Sequence, residues 1–211
     1  MSAGLPLIAA SRDGWVAGVD EAGRGPLAGP VVASAVILDP ERVPRGLNDS
    51  KQLSASRRSA LATEIREVAV AFAVVSFSAS EIDQRNILAC TMSAMAQAVA
   101  ELEAVPVEVR VDGNRLPPAC ERIESEWIAI VGGDGLDAGI AAASILAKTT
   151  RDALMIEYDE LWPQYGFARH KGYGTKQHMT ALETYGPCEI HRASFAPVKR
   201  ALRTQDGADG R

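Results

Sequence analysis

Cysteine is scarce in this chain, and the few cysteines that it has are scattered. Cys90, Cys120 and Cys188 are the only three among 211 residues, and they form no CxxC pair. This pattern argues against a disulfide framework and favours a reducing compartment, so we expect a cytoplasmic protein. Histidine is equally scarce, and no cysteine or histidine has the spacing of zinc ligands. A zinc site and a histidine-based catalytic scheme are therefore disfavoured.

Long hydrophobic runs are absent as well. The longest nearly apolar stretch, Ala28 to Leu38, is far shorter than the roughly 18 residues of a membrane-spanning helix. The first residues show neither a charged leader nor a long apolar stretch, so we expect no signal peptide and no membrane association. The composition, 47% hydrophobic and 23% charged, is typical of a globular protein. The length suits one domain with at most a small extension.

An excess of positive charge is also missing, because the formal net charge is −5. Proteins that bind nucleic acids usually carry clustered Lys and Arg that contact phosphates. The basic residues are unevenly spread, however. The segment from Glu160 to Arg203 has seven Lys or Arg against three acids, whereas residues 1–159 have 14 against 22. An acidic body that holds a metal and a basic segment that holds a polyanion would explain this distribution, and so would a chance fluctuation.

The hydrophobic pattern predicts five strands and several helices. The apolar run WVAGVD and the run Val31 to Leu38 flank a turn rich in Gly and Pro, which predicts a hairpin. Further strands are predicted at 70–77, 107–111 and 127–131, and helices at 54–68, 80–103, 139–161 and 177–185. Strands that alternate with helices after an opening hairpin indicate a mixed α/β sheet covered by helices.

Three of the predicted strands end in acidic residues. Asp20 and Glu21 close the first strand, Asp112 follows the fourth and Asp134 follows the fifth. Neighbouring strand residues point to opposite faces, so Asp20 and Glu21 can share one metal only if the strand ends there and the chain turns. Clustered carboxylates repel one another without a cation, and oxygen ligands suit Mg²⁺ or Mn²⁺. We therefore expect a metal site at this edge, although a solvated acidic turn is the alternative for each acid taken alone.

Seven sequence blocks, spread in order over most of residues 15–198, carry a recognisable pattern. They are DEAGRGPLAGPVVASAV (20–36), NDSKQLS (48–54), VDGN (111–114), GGD (132–134), AASILAKTTRD (142–152), YGFARHKGYGTKQH (165–178) and HRASFAPV (191–198). Together they resemble the type 2 ribonucleases H, specifically the bacterial ribonuclease HII family. One such block alone is moderately specific, whereas seven in the family's order are highly specific.

The resemblance implies a fold and a domain organisation. The fold would be α/β, a ribonuclease H-like mixed five-stranded sheet flanked by helices, with a small helical C-terminal extension. Residues 1–161 would form the catalytic domain, residues 162–200 a substrate-binding segment packed on it, and residues 201–211 a disordered tail. We expect a monomer.

The resemblance also implies an activity. Members of the family cleave the RNA strand of RNA/DNA hybrids and cut 5′ to single ribonucleotides embedded in duplex DNA, leaving 3′-hydroxyl and 5′-phosphate ends. The corresponding role would be the removal of misincorporated ribonucleotides from DNA. We expect no small-molecule cofactor.

The family's metal ligands correspond to four acids of this chain and imply two Mn²⁺ or Mg²⁺ ions in the active complex. These acids are Asp20, Glu21, Asp112 and Asp134. One departure from the family concerns the last of them, because Gly132 stands where the family commonly has lysine before Gly-Asp. Asp137 and Asp152 are the alternatives for this ligand, although Asp152 follows Lys148 by one helical turn and is expected to pair with it.

The resemblance assigns substrate contacts to several parts of the chain. The glycine-flanked turn after the first acids would contact the ribose 2′-hydroxyl, because glycine lets backbone groups approach closely. Tyr173 would pack on the sugar at the RNA–DNA junction. Phosphate contacts are expected before the first helix and in the fourth helix, where a capping loop and an internal ion pair are the alternatives. The full set is Gly23, Arg24, Gly25, Asn48, Ser50, Lys51, Ser144, Lys148, Lys171 and Tyr173. His191 and Arg192 are expected to tie the C-terminal segment back or to contact DNA.

Two other functions are compatible with the acidic residues alone. A DNA nuclease of the ribonuclease H-like group, such as a resolvase or an integrase core, has no need of a 2′-hydroxyl and would also cut an all-DNA duplex. A hybrid-binding module with structural acids would bind its ligand without turnover in Mg²⁺ or Mn²⁺.

Overall fold

A five-stranded sheet organises the structure, a computed structural model that describes residues 14–48 and 50–208. Its strands are β1 (Val16–Ala22), β2 (Val31–Ile37), β3 (Ala71–Phe77), β4 (Glu108–Asp112) and β5 (Glu126–Ile130). The strand order is β3-β2-β1-β4-β5. β1 and β2 pair antiparallel as the predicted hairpin, whereas β1 with β4 and β4 with β5 pair in parallel. The predicted mixed five-stranded α/β sheet is confirmed.

Seven helices accompany the sheet in the described part of the chain. They are α1 (Ala55–Val68), α2 (Ala79–Arg85), α3 (Ile87–Ala100), α4 (Ala138–Leu161), α5 (Phe167–His170), α6 (Lys176–Tyr185) and α7 (Ala196–Ala208). Short 3₁₀ turns lie at Pro118–Arg122 and Gly133–Gly135. Ser54 caps α1 by accepting the N–H of Arg57, which is the helix start that the sequence predicts.

The predicted long helix over 80–103 is wrong, because two helices occupy this segment. Ser78 rather than Ser80 caps α2, and it forms a capping box with Glu81. Asn86 then adopts a left-handed φ of 69°, and its side chain accepts the N–H of Ala89 in the first turn of α3. Asparagine tolerates this conformation better than most residues. The helix is therefore interrupted at Asn86 even though the apolar pattern continues.

The contacts within the structure divide the residues into two units, each of which is described by itself. The first unit comprises Met1–Ala22, Val32–Val75 and Thr91–Thr149, and the second comprises Gly23–Val31, Ser76–Cys90 and Thr150–Arg211. This grouping differs from the predicted boundaries at residues 161 and 200. The predicted functional division of the chain stays a prediction.

The first unit has a core formed by β2, α1 and the first half of α4. Every residue of β2 is buried, which suits an apolar strand covered on both faces. Leu61 and Ile65 of α1 join Ile145 and Leu146 of α4 in one buried cluster with Val36 of β2. Burial of a side chain of this size contributes about 1.5–3 kcal/mol, so these contacts fix α4 against the sheet.

The second unit has its own apolar clusters. Met155, Tyr165 and Phe167 form one cluster, and Leu182 and Val198 belong to another. Helix α7 continues to Ala208, so much of the segment predicted to be a disordered tail is helical, and residues 209–211 lie outside the described residues. Among the described helices, none is both long and apolar enough to cross a membrane.

Candidate active site

Asp20 and Asp112 lie at the carboxyl ends of two neighbouring parallel strands. The last registered pair of β1 and β4 is Val19 with Val111, so each aspartate follows directly after it. Paired residues of parallel strands point to the same face, and neighbouring strands lie about 4.8 Å apart. The structure therefore brings these two carboxylates together on one face and at one edge of the sheet.

Helix α4 begins on this same face of the sheet. Gly18 precedes Asp20 by two residues, and a Cβ placed on it would lie 2.0 Å from the carbonyl carbon of Gly139 and 2.2 Å from the nitrogen of Ile140. A side chain at Gly18 would push α4 away from β1, because no relaxation of a flexible side chain can relieve a clash with backbone. The absence of a side chain at Gly18 thus lets α4 bring Ser144 to the carboxylates.

Asp20 is almost fully buried and is held by two donors. Its exposed fraction is 4%, and its carboxylate accepts the N–H of Glu21 at 2.7 Å and a hydrogen bond from the hydroxyl of Ser144. The Ser144 hydroxyl lies 2.9 Å from that of Ser50, and both serines are buried. Burial, followed by the charges of Glu21 and Asp112, raises the pKa of Asp20 well above its usual value. The two serines, predicted as substrate contacts, form a buried hydroxyl pair beside Asp20.

Glu21 is coupled to Asp20 in a way that the sequence did not predict. A metal shared by the two acids was predicted only if β1 ends there, but the strand continues through Ala22, and residues 20–22 all pair with β2. The carboxylate of Asp20 instead turns along the chain onto the backbone N–H of Glu21. Glu21 is half-buried, and its charge contributes to the raised pKa of Asp20. The two acids are therefore electrostatically coupled without the predicted strand end.

Asp134 lies in the 3₁₀ turn after β5 and is coupled to Asp112. Gly132 begins this turn with a left-handed φ of 68°, and the N–H of Gly133 donates to Asp112 Oδ1 at 2.7 Å. Burial and the charge of Asp134 raise the pKa of Asp112, whereas the Gly133 hydrogen bond opposes this rise. Asp134 is 9% exposed, and its Oδ2 lies 3.3 Å from Nζ of Lys51. The turn thus adds a fourth acid to Asp20, Glu21 and Asp112.

The structure also distinguishes between the alternatives for the fourth acid. Asp137 Oδ2 accepts a hydrogen bond from Arg110 Nη1 at 2.7 Å, and Asp137 Oδ1 accepts the N–H of Ile140 at 3.0 Å. Asp137 therefore caps the start of α4 and neutralises Arg110. Asp152 belongs to the second unit. Of the three candidates, Asp134 is the one whose charge acts on Asp112.

The donor chemistry of this carboxylate set fits a hard divalent cation. All the ligand candidates are carboxylate oxygens, and mutual repulsion together with burial raises the pKa of Asp20 and Asp112. Over residues 14–48 and 50–208, no group of three or more His, Cys, Asp or Glu side chains is placed so that it could hold a metal ion. The fit to a divalent cation therefore rests on the donor chemistry, since Mg²⁺ takes carboxylate oxygens together with waters and substrate phosphates.

The predicted 2′-hydroxyl contacts lie in the second unit, on the loop of residues 23–30. Gly23 has a φ of 99°, and a Cβ there would lie 2.1 Å from Nε of Arg151. Gly25 adopts no left-handed φ, and a Cβ there would lie 3.7 Å from Cε1 of Tyr173, which is an ordinary contact. Gly23 is therefore required by the turn and its packing. The turn does not require glycine at position 25, and the lack of a side chain on Gly25 leaves open the space beside Tyr173.

Lys171 and Tyr173 lie on the turn after α5, also in the second unit. Lys171 and Gly172 have left-handed φ values of 51° and 82°. The N–H of Leu27 donates to the Gly172 carbonyl at 2.8 Å, which fastens this turn to the loop of residues 23–30. Tyr173 is 47% exposed. An accessible aromatic ring therefore stands next to Gly25.

The other predicted substrate residues lie at the surface or partly buried. The Lys51 side chain is 76% exposed, and Arg24 is also exposed. Asn48 donates to Gln52 Oε1 at 3.4 Å, and Lys148 is half-buried on α4. Their roles toward a substrate stay predictions.

One organising residue was missed by the sequence analysis. The Arg151 side chain is 1% exposed and donates to the carbonyls of Ala28, Pro30 and Lys171 at 2.9–3.1 Å. An arginine in the middle of a helix gives no sequence signal of such burial, because most arginines of that kind are solvated. The expectation that Arg192 ties the C-terminal segment back is supported, since Arg192 is fully buried against backbone carbonyls.

Comparison with known proteins gives consistent results. The family model for Ribonuclease HII matches residues 17–198. Ribonuclease HII of Acidovorax sp. is 58% identical over 190 residues, which are 90% of this chain and 89% of that protein. Ribonuclease HII of Burkholderia mallei is 56% identical over 187 residues, 89% of this chain and 86% of that protein. The crystal structure of ribonuclease H2 from Pyrococcus horikoshii is 26% identical with a TM-score of 0.77, covering 90% of this chain and 98% of that one.

The family match covers residues of both units. Residues 17–198 include the carboxylates of the first unit as well as the glycine loop and Tyr173 of the second. The relatives also align over most of their own length. The chain belongs to the ribonuclease HII family and is a ribonuclease H endonuclease.

Proposed function

We propose that this ribonuclease H cleaves the RNA strand of RNA/DNA hybrids and also cuts 5′ to single ribonucleotides in duplex DNA. The observation that carries the proposal is the placement of Asp20 and Asp112 on one face at neighbouring strand ends, with the charge of Asp134 acting on Asp112. The products would carry 3′-hydroxyl and 5′-phosphate ends. The proposed role is the removal of misincorporated ribonucleotides from DNA, by a monomer in the cytoplasm.

The carboxylates would hold two Mn²⁺ or Mg²⁺ ions. The ligands would be Asp20, Glu21, Asp112 and Asp134. Bound there, the ions would supply Lewis acidity for hydrolysis of the scissile phosphodiester. The protein orients the ligands, because the Ser144 hydroxyl and the Glu21 N–H hold Asp20 while the Gly133 N–H holds Asp112; these hydrogen bonds also partly oppose the rise in the pKa of each carboxyl.

The second unit would supply the preference for a ribonucleotide. The open space beside the exposed ring of Tyr173 exists because Gly25 has no side chain, although the turn itself does not require glycine there. A sugar that stacks on Tyr173 could bring its 2′-hydroxyl to backbone groups of residues 23–25. The exposed ammonium of Lys51 and the half-buried Lys148 of α4 are the proposed phosphate contacts.

The decisive experiment uses three end-labelled duplexes of one sequence. The first is all DNA, the second contains a single ribonucleotide and the third is an RNA/DNA hybrid. Each is incubated with the protein over a titration of Mg²⁺ or Mn²⁺, and the ends are mapped. We expect cleavage 5′ to the ribonucleotide and within the RNA strand, no cleavage of the all-DNA duplex, and no cleavage without a divalent ion.

Site variants connect the activity to the carboxylates. Asp20→Asn and Asp112→Asn should abolish cleavage, whereas Glu126→Gln, an equivalent change at the exposed start of β5, should not. Asp20→Asn should also leave the unfolding temperature unchanged or raise it, because it removes a buried charge that neighbouring acids disfavour. Activity lost through misfolding would instead lower that temperature.

Three results would overturn the proposal. Wild-type rates in either aspartate variant would remove the assigned role of the carboxylates. Equal cutting of the all-DNA and the ribonucleotide-containing duplex would favour a resolvase-like or integrase-like nuclease. Binding of the hybrid without turnover at any Mg²⁺ or Mn²⁺ concentration would favour a binding module.

A further inference from the structure

Arg192 is buried beneath the loop of residues 23–30. The residue is 0% exposed, and its guanidinium donates five hydrogen bonds, all to backbone carbonyls of that loop. The acceptors are Gly23 at 2.6 Å, Arg24 at 3.0 Å, Pro26 at 2.8 Å and Gly29 at 2.9 and 3.0 Å. A single side chain therefore fixes the carbonyls of four loop residues, all within the second unit.

This guanidinium is not part of an ordinary ion pair. In the part of the chain that the structure describes, no carboxylate accepts a hydrogen bond from Arg192 or from the neighbouring Arg151. Burial, with the charge of Arg151 adding to it, lowers the pKa of Arg192 to about 9. Arg192 therefore stays charged at neutral pH. Its charge and its donor groups are therefore engaged by the backbone carbonyls of the loop rather than by a carboxylate.

Because the peptide unit is planar, the direction of each loop carbonyl also fixes the direction of the next residue's N–H group. In a trans peptide the C=O of one residue and the N–H of the next point in opposite directions, and none of the described peptide bonds is cis. The carbonyls of Gly23 and Arg24 point at Arg192. The N–H groups of Arg24 and Gly25 therefore point away from the guanidinium.

We propose that Arg192 is the positioning residue for ribose recognition, because it turns the N–H groups of Arg24 and Gly25 toward the substrate sugar. The inference rests on the proposed function, in which this loop recognises the 2′-hydroxyl. Gly25 has no side chain, and a Cβ placed on it would lie 3.7 Å from Cε1 of Tyr173, so the loop borders the Tyr173 ring. Arg192 itself contacts no substrate.

The test compares Arg192→Lys with a matched control on the same segment. Lysine keeps the positive charge but offers one nitrogen in place of three, so it cannot fix the same set of carbonyls. The control is Asp83→Ala. Asp83 accepts the N–H groups of Ala193 and Ser194 at 2.8 Å and the Ser194 hydroxyl at 2.5 Å. It fastens the segment after Arg192 without touching residues 23–25.

The measured quantity is a ratio of dissociation constants without divalent ions, so that no turnover occurs. The ratio is the dissociation constant of an all-DNA duplex divided by that of the same duplex with one ribonucleotide. We expect Arg192→Lys to lower this ratio about tenfold or to unity, with affinity for the all-DNA duplex changed less than threefold. Asp83→Ala should keep the wild-type ratio, even where its unfolding temperature falls as far as that of Arg192→Lys.

A second measurement covers the case in which Arg192→Lys does not fold. In wild-type protein, hydrogen exchange at the amides of Arg24 and Gly25 should slow when the ribonucleotide-containing duplex binds, and not when the all-DNA duplex binds. Equal exchange with both duplexes, or a wild-type ratio in folded Arg192→Lys, would overturn the inference while leaving the proposed function intact. A wild-type protein whose ratio is already unity would overturn the proposed function and this inference with it.

Discussion

Protonation of a buried histidine pair should destabilise the protein as the pH falls below about 6.5. His178 Nε2 and His191 Nε2 lie 3.0 Å apart in the second unit, and both residues are buried. His191 Nδ1 accepts the N–H of Cys188 at 2.9 Å, and His178 Nδ1 donates to the Tyr173 carbonyl at 2.9 Å. This arrangement is satisfied when both rings are neutral, with His191 Nε2–H donating to His178. A proton on His178 would place two N–H groups against each other.

The sign and the size of the effect follow from the pKa of His191. Burial, with the neighbouring His178 adding to it, lowers this pKa from 6.5 to about 4. The unfolded chain therefore binds a proton in a range where the folded chain does not, and the free energy of unfolding falls as the pH falls from about 6.5 toward 4. The loss from His191 is about 2 kcal/mol at pH 5 and about 3 kcal/mol below pH 4. Burial also lowers the pKa of His178, which acts in the same direction.

The assay must separate the histidines from the carboxylates. The raised pKa values of Asp20 and Asp112 stabilise the fold as the pH falls, which opposes the histidine effect. Urea unfolding at pH 7.5 and pH 5.0 is therefore measured for wild type and for His191→Asn, in which the amide oxygen can accept the Cys188 N–H in place of Nδ1. The carboxylates titrate alike in both proteins and cancel in the comparison.

The expected result is a difference between the two proteins in their response to pH. Between pH 7.5 and 5.0 the wild type should lose about 2 kcal/mol more of its free energy of unfolding than the variant does. The same pH dependence in both proteins would refute the reasoning, because His191 would then titrate equally in the folded and unfolded chains.

Three further predictions concern glycines and one lysine. Gly23→Ala should lower the unfolding temperature, whereas Gly25→Ala should leave it unchanged. Gly25→Ala should instead weaken binding of a ribonucleotide-containing duplex, because its methyl group fills the space beside Tyr173. Tight binding by folded Gly25→Ala would contradict the assignment. Gly18→Ala should reduce the free energy of unfolding in urea by at least about 2 kcal/mol, because its Cβ meets the backbone of α4. Lys51→Ala should tighten Mn²⁺ binding to the free protein two- to fivefold in titration calorimetry, since an exposed ion pair is worth about 0–1 kcal/mol. An unchanged affinity would count against competition between Lys51 and the metal for Asp134.

The sequence predicted those parts of the fold and site that depend on local pattern. The hairpin follows from two apolar runs around a Gly/Pro turn, and the five strands appear close to their predicted positions. Asp20 and Asp112 were predicted as site residues because each follows an apolar run, and the parallel pairing of β1 with β4 places them on neighbouring strands. The break at Asn86 was missed, because a single left-handed residue leaves the hydrophobic periodicity intact.

Tertiary contacts account for what the sequence could not show. Ser50 and Ser144 are 94 residues apart and meet only because α4 packs on β1. The choice of Asp134 over Asp137 depends on Arg110, whose guanidinium engages Asp137. Neither relation has a sequence signature, since each depends on which side chains face one another across the folded unit.

The net charge of −5 conceals groups of opposite charge, acids in the first unit and arginines in the second. In the first unit, Asp20 is buried and Asp112 is partly buried, both with acids as neighbours, and their pKa values are raised. In the second, Arg151 and Arg192 are buried against carbonyls, and their pKa values are lowered to about 10 and about 9. Divalent cations would neutralise the first set, and a polyanion would be attracted by the second. Because these charges are buried, salt screens them less than it screens surface lysines. The proposed ribonucleotide preference should therefore persist at ionic strengths that already weaken binding to all-DNA duplexes.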